Sequence, residues 1–197
     1  MTLTYQGHPL VTKEMFVADM IAHREADRII AGTYGVGIGP DWQGCAVACG
    51  VHTINRVTGL DLENDDHARL ADALGWPEWL TQLTDSVFEA LPKTACAVWP
   101  ERLARAVPVG ADIGPALMVF LSRMLREVVL PIAGTSAAVV KRVADGLASD
   151  WQDYDLAAAA DAAADAAARA DAARADTWVS ISDILLKSLS AIPDGPA

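Results

Sequence analysis

Apolar residues recur at three- and four-residue intervals along almost the whole chain, and no segment alternates apolar and polar residues as a half-buried strand would. Glycines and prolines separate the periodic stretches. The pattern predicts an all-α, single-domain, multi-helix bundle of about seven or eight helices over residues 1–197. Residues 193–197 are expected to form a flexible tail.

Capping and stop signals place the ends of these helices. The predicted helices cover residues 12–31 with Thr12 as the cap, 45–58 closed by Gly59, 64–75 capped by Asn64 or Asp65, 77–91, two short pieces within 93–107 divided at Pro100, 112–131 capped by Asp112 and ended by Pro131, and 136–148. The glycine-rich residues 32–40 are expected to be a flexible connector.

The last predicted helix is long and alanine-rich. Fourteen of the twenty residues from 156 to 175 are alanine. Alanine is the strongest helix former, but it leaves little side chain to bury. We expect this helix to lie in solvent; an assembly surface is the alternative, which the many aspartates around it disfavour.

Composition excludes several classes of partner. The chain carries 15 basic and 26 acidic residues, a formal net charge of −11. An acidic surface repels phosphate backbones and anionic lipid, so we expect neither nucleic acid nor membrane as a partner. Three cysteines are too few for a disulfide framework, and the first residues show no secretory signal. The sequence therefore predicts a cytoplasmic protein.

Polar residues interrupt the buried faces of the first two predicted helices. On the first helix they are Asp19, His23 and Asp27; on the second they form a narrow stripe of Cys45, Cys49, His52 and Arg56. Buried carboxylates are costly unless they are paired or bind a cation. If the two helices are antiparallel neighbours, their rise per residue places Asp27 near Cys45 and Cys49, His23 near Cys49 and His52, and Asp19 near Arg56. An Asp19–Arg56 ion pair and a His23–Asp27 contact would then satisfy the buried charges.

Three interpretations of this cluster remain open. In the first, the cluster is a structural polar core. In the second, Cys45 or Cys49 is a reactive thiolate that the helix N-terminus activates, with His52 as base and Arg56 as anion contact. In the third, zinc binds Cys45, Cys49 and His52 with His23 or His67. No other cofactor is expected.

The leading functional hypothesis is therefore a non-catalytic, acidic intracellular helical protein that acts by protein binding or scaffolding. The alternative is a thiol- or metal-dependent enzyme that uses the cluster between the first two helices. The sequence gives no indication of substrate or oligomeric state.

Overall fold

A computed structural model describes residues 3–149 and 174–196 of the chain. Over these residues the protein is all-α, with isolated β-bridges but no strand, which confirms the predicted fold class. The predicted alanine-rich helix lies outside the described residues, except where the last helix begins at Arg174. None of the helices in the described ranges is both long and apolar enough to cross a bilayer.

The helices are numbered here in chain order. Their bounds are α1 Lys13–Glu25, α2 Ala46–Thr58, α3 His67–Leu74, α4 Glu78–Ala90, α5 Lys93–Cys96, α6 Trp99–Ala106, α7 Ala116–Met124, α8 Ala137–Ser149 and α9 Arg174–Ser190.

Local capping signals fix several helix ends where the sequence predicts them. The Thr12 side chain accepts a hydrogen bond from the Met15 amide and begins α1. Gly59 and Gly75 end α2 and α3 in the left-handed conformation, with φ of 74° and 66°. The cap of α3 is Asp66, slightly later than predicted.

Other helix boundaries also differ from the predicted ones. Helix α1 ends at Glu25 rather than near residue 31, because the chain then pairs with the segment before α2: the Ile30 amide donates to the Gly44 carbonyl, and the Gly44 amide donates to the Arg28 carbonyl. Asp112 does not cap α7, since its carboxylate accepts from the Gly114 amide and the helix begins only at Ala116.

Pro131 does not end α7 directly. The helix passes into a π-helical turn over Leu125–Val129 and then a 3-10 turn over Leu130–Ile132. Pro131 lies in the first turn of this 3-10 segment, where a missing amide hydrogen breaks no helical hydrogen bond. The proline is accommodated by a change of helix type.

The contacts divide the chain into two compact units. The first comprises Met1–Gly114 with Leu189–Ala197, and the second comprises Pro115–Ser188. The single domain stays a prediction, as does the flexible tail. In the first unit, residues of that tail are hydrogen-bonded: the Asp194 carboxylate accepts from the Val109 amide, and the Gly195 amide donates to the Val109 carbonyl, each at 2.7 Å.

The core of the first unit lies among α1, α2, α3, α4 and α6. Its largest fully buried side chains include Met20, Ile54, Leu74, Leu80, Phe88, Trp99 and Leu103. The Trp76 ring packs edge-on against Tyr5 and Phe16, with ring centroids 5.9 Å apart in both pairs. This core fixes α2 and α4, which carry the site described below.

The second unit has its own small core. The buried members are Leu125, Ala133, Val140, Val143 and Ala144. The Ser122 hydroxyl donates to the Ala144 carbonyl at 2.7 Å, which joins α7 to α8.

Candidate functional site

Helices α1 and α2 are antiparallel neighbours, and their polar residues meet in the predicted order. Arg56 near the end of α2 forms an ion pair with Asp19 in the middle of α1. One turn further along α1, the His23 imidazole lies 3.4 Å from the Thr53 hydroxyl, measured from Nε2. The predicted Asp19–Arg56 pair is confirmed.

His23 and His52 form an aromatic cluster with Trp42. The two imidazole rings meet edge-on with centroids 5.2 Å apart, and the Trp42 indole stacks on His52 at 4.4 Å. Burial, followed by the proximity of His52, lowers the pKa of His23 to about 4. Burial and the nearby Arg28 also lower the pKa of His52. Both imidazoles are therefore neutral near pH 7.

Asp27 does not join this cluster. It follows the end of α1, its φ is +54°, and its side chain is exposed. Its backbone carbonyl, not its carboxylate, accepts a hydrogen bond from the Gln43 side chain at 2.7 Å. The prediction that Asp27 lies on the buried face is wrong, because it assumed that α1 continues to residue 31.

Cys49 is closed off from solvent. It is completely buried, and its thiol lies 3.6 Å from the Gly44 carbonyl oxygen. Burial raises its pKa far above the usual thiol range. In this position Cys49 acts as a small apolar residue.

Cys45 lies at the N-terminus of α2, beside a cleft. Its thiol is 3.8 Å from the Asp85 carboxylate. Burial is the largest cause that raises the pKa of Cys45 to about 11; the backbone amides of Ala48 and Val47 oppose the rise, and Asp85 and Glu89 add to it. The thiol is therefore protonated at neutral pH, which is opposite to what the reactive-thiolate interpretation of the cluster expects.

The cleft contains two carboxylates that sequence reasoning missed. The ligand atoms of Cys45, Asp85 and Glu89 all lie within 4.8 Å of one another. Together with Gly32, Thr33 and Tyr34 these residues line a volume of about 130 Å³. The Tyr34 hydroxyl donates to Asp85 at 2.7 Å and the Gly32 amide donates to Glu89 at 2.8 Å, so both carboxylates are held in place.

The donor set differs from the predicted zinc ligands. Across residues 3–149 and 174–196, the Cys45, Asp85 and Glu89 group is the one set of three His, Cys, Asp or Glu residues with ligand atoms this close together. Cys49 and His52 are not part of it. His67 lies nearby but packs its ring against Tyr34, with centroids 5.9 Å apart.

One signal for the missed residues is present in the sequence. Asp85 and Glu89 are four residues apart on α4, so they share a helix face. That spacing is common on exposed helices and does not reveal which helix lies opposite. Only the fold brings this face to Cys45.

The chain matches no protein-family model, and no curated protein or solved structure shows significant similarity to it. The chemistry of the cleft is therefore the main indication of what the protein does.

Proposed function

We propose that this protein binds a divalent transition-metal ion, of which zinc is the best example, through Cys45, Asp85 and Glu89. The convergence of one thiol and two carboxylates within 4.8 Å, at the wall of a cleft, carries the proposal. Thiolate sulfur favours zinc over magnesium or calcium, and carboxylate oxygen is compatible with zinc.

The charge balance of the cleft supports a cation. Asp85 and Glu89 are like charges at adjacent turns of one helix, which is unfavourable without compensation. Among the described residues, neither carboxylate has a lysine, arginine or histidine within ion-pair distance. A bound divalent ion would remove this repulsion.

The thiol environment is suited to a metal-coupled deprotonation. The Val47 and Ala48 amides already favour the thiolate, whereas burial and the carboxylates oppose it. A metal ion supplies the missing positive charge, so its binding would release the thiol proton. Because the pKa of the unliganded Cys45 is about 11, metal affinity should increase with pH across the neutral range.

The number of donors leaves room for chemistry. Structural zinc sites have four protein ligands, whereas catalytic sites have three and keep a position open for water or substrate. Three donors beside a cleft fit the pattern of catalytic sites. We therefore propose that the bound metal serves a metal-dependent enzyme activity. All three cysteines are unpaired, which supports a reducing compartment such as the cytoplasm.

Cobalt titration tests the proposal. Co²⁺ takes the place of zinc and gives an intense sulfur-to-metal absorption band only when a thiolate is a ligand. We expect this band in the wild-type protein and none in Cys45→Ser. We expect Glu89→Gln to weaken Co²⁺ binding by at least about tenfold, because even the loss of a residue that merely orients a ligand has an effect of this size.

Matched controls distinguish the loss of a metal ligand from disruption of the fold. Cys96→Ser removes another buried cysteine of the same unit, and Glu78→Gln removes an exposed carboxylate from the same helix. Both should retain the band and the affinity. A wild-type protein without the band, or a band that persists in Cys45→Ser, would refute the proposal.

A further inference from the structure

The segment before α2 exposes a concentrated group of apolar side chains. Residues 32–41, called here the apolar loop, contain Tyr34, Val36 and Ile38 with exposed fractions of 38%, 48% and 88%. Single apolar residues are common on protein surfaces, but three within five residues concentrate exposed apolar surface in one segment.

The apolar loop, which the sequence predicts to be a flexible connector, is held by backbone hydrogen bonds in the structure. Val36 and Gln43 exchange two backbone hydrogen bonds of 2.8 and 2.9 Å. Gly37 adopts a φ of +81°, and a Cβ there would lie 2.4 Å from the Asp41 carbonyl oxygen. Buried Trp42 anchors the end of the loop, where its amide donates to the Gly39 carbonyl. A preorganised loop loses little conformational entropy when it binds a partner.

The surroundings of the loop are acidic. Residues 29–55, which lie between Arg28 and Arg56, contain no lysine or arginine, and neither does helix α4. Two exposed aspartates that are not proposed metal ligands lie at the loop: Asp41 is within it, and Asp65 is close enough to Tyr34 to interact with its hydroxyl electrostatically. An apolar surface in this setting complements apolar side chains that are flanked by positive charge.

We infer that the apolar loop docks a partner protein whose contacting segment combines apolar side chains with lysine or arginine. A second copy of this chain is disfavoured, because both copies would carry the net charge of −11. The inference goes beyond metal binding, since Val36 and Ile38 are not metal ligands. It specifies the surface for the protein-binding role that the sequence suggests.

A library of random linear peptides, displayed on phage and selected on the immobilised full chain, tests this inference. We expect enriched peptides to combine apolar residues with lysine or arginine. Their affinity, measured by fluorescence anisotropy of synthetic peptides, should fall at least about tenfold in Ile38→Ser, because the variant loses a buried aliphatic contact. The affinity should also fall as salt is added.

The control is Leu10→Ser, which changes an aliphatic residue of the same unit that is 56% exposed. It should leave peptide affinity within about twofold of wild type. The inference is overturned if enriched peptides show no basic or apolar preference, or if Ile38→Ser binds them as wild type does. It is equally overturned if the loop drives self-association in sedimentation, or binding to phosphatidylcholine vesicles, that Ile38→Ser abolishes.

The two proposals fail separately. Cys45→Ser should abolish the cobalt band while peptides still bind. Ile38→Ser should weaken peptide binding while the cobalt band persists.

Discussion

His23 is the residue whose chemistry depends most on its surroundings. Its side chain is 4% exposed and packs against His52 and Thr53. Burial and then the neighbouring His52 are the main causes that lower the pKa of His23; Arg28 and Arg56 lower it further, and the Asp19 carboxylate opposes them. A proton on His23 would therefore be poorly solvated and would lie close to a second imidazole.

This environment makes the first unit sensitive to acid. The folded-state pKa of His23, about 4, lies below its usual value of 6.5, so its contribution to stability is complete above pH 6.5 and is lost as the pH falls towards 4. The loss amounts to about 3 kcal/mol at full protonation. Urea unfolding at a series of pH values should show this decline in wild type and a smaller one in His23→Gln.

The matched variant is His8→Gln, which removes a histidine that lies outside the cluster. We expect it to retain the wild-type pH dependence. If His23→Gln and wild type lose stability in parallel between pH 6.5 and pH 4, the burial of His23 does not control the acid response.

At the scale of elements, two helix-ending glycines have the same backbone conformation but different neighbours. A Cβ on Gly59 would meet no atom within 4 Å, whereas a Cβ on Gly75 would lie 2.1 Å from the Leu3 carbonyl oxygen. The end of α2 therefore requires only the left-handed conformation. The end of α3 also requires that the N-terminal segment pass directly over it.

This difference predicts unequal effects of the same substitution. Gly59→Ala should lower the free energy of unfolding by about 1–2 kcal/mol, the cost of the left-handed conformation for a residue with a Cβ. Gly75→Ala should lower it by at least about 3 kcal/mol, because the backbone of Leu3 must also move. Chemical denaturation of both variants measures the two values. Equal losses would show that the Leu3 contact does not constrain α3.

The same contrast explains which helix boundaries the sequence can predict. Thr12, Gly59 and Gly75 act on the turn beside them, so their signals are local. The early end of α1 depends on pairing with Gly44, well along the chain, and no local pattern indicates that pairing.

At the scale of the whole molecule, the candidate site depends on contacts that are distant in sequence. The Asp19–Arg56 pair was predictable because the rise per residue places these two side chains at the same level if the first two helices are antiparallel neighbours. Cys45 meets Asp85 and Glu89 only because α3 intervenes and returns α4 to the start of α2. Asp27 was misassigned for the same reason, since a long-range pairing ended its helix.

Part of the negative charge of the chain is concentrated at the cleft. Asp85 and Glu89 concentrate negative charge at the cleft, and the segments that carry the apolar loop and α4 contain no lysine or arginine to offset it. The proposed metal ion would neutralise the cleft, whereas the proposed partner would be attracted by the remaining acidic surface. Both proposals therefore involve the acidic character of the chain, but neither requires the other to be correct.

Equilibrium dialysis of the full chain against Zn²⁺, followed by determination of zinc per chain, measures whether the cleft holds a metal ion. We expect one specifically bound zinc ion per wild-type chain and its loss in Cys45→Ser, with retention in the Cys96→Ser control. Wild-type protein that retains no zinc, or Cys45→Ser that retains as much as wild type, would contradict the metal-binding proposal.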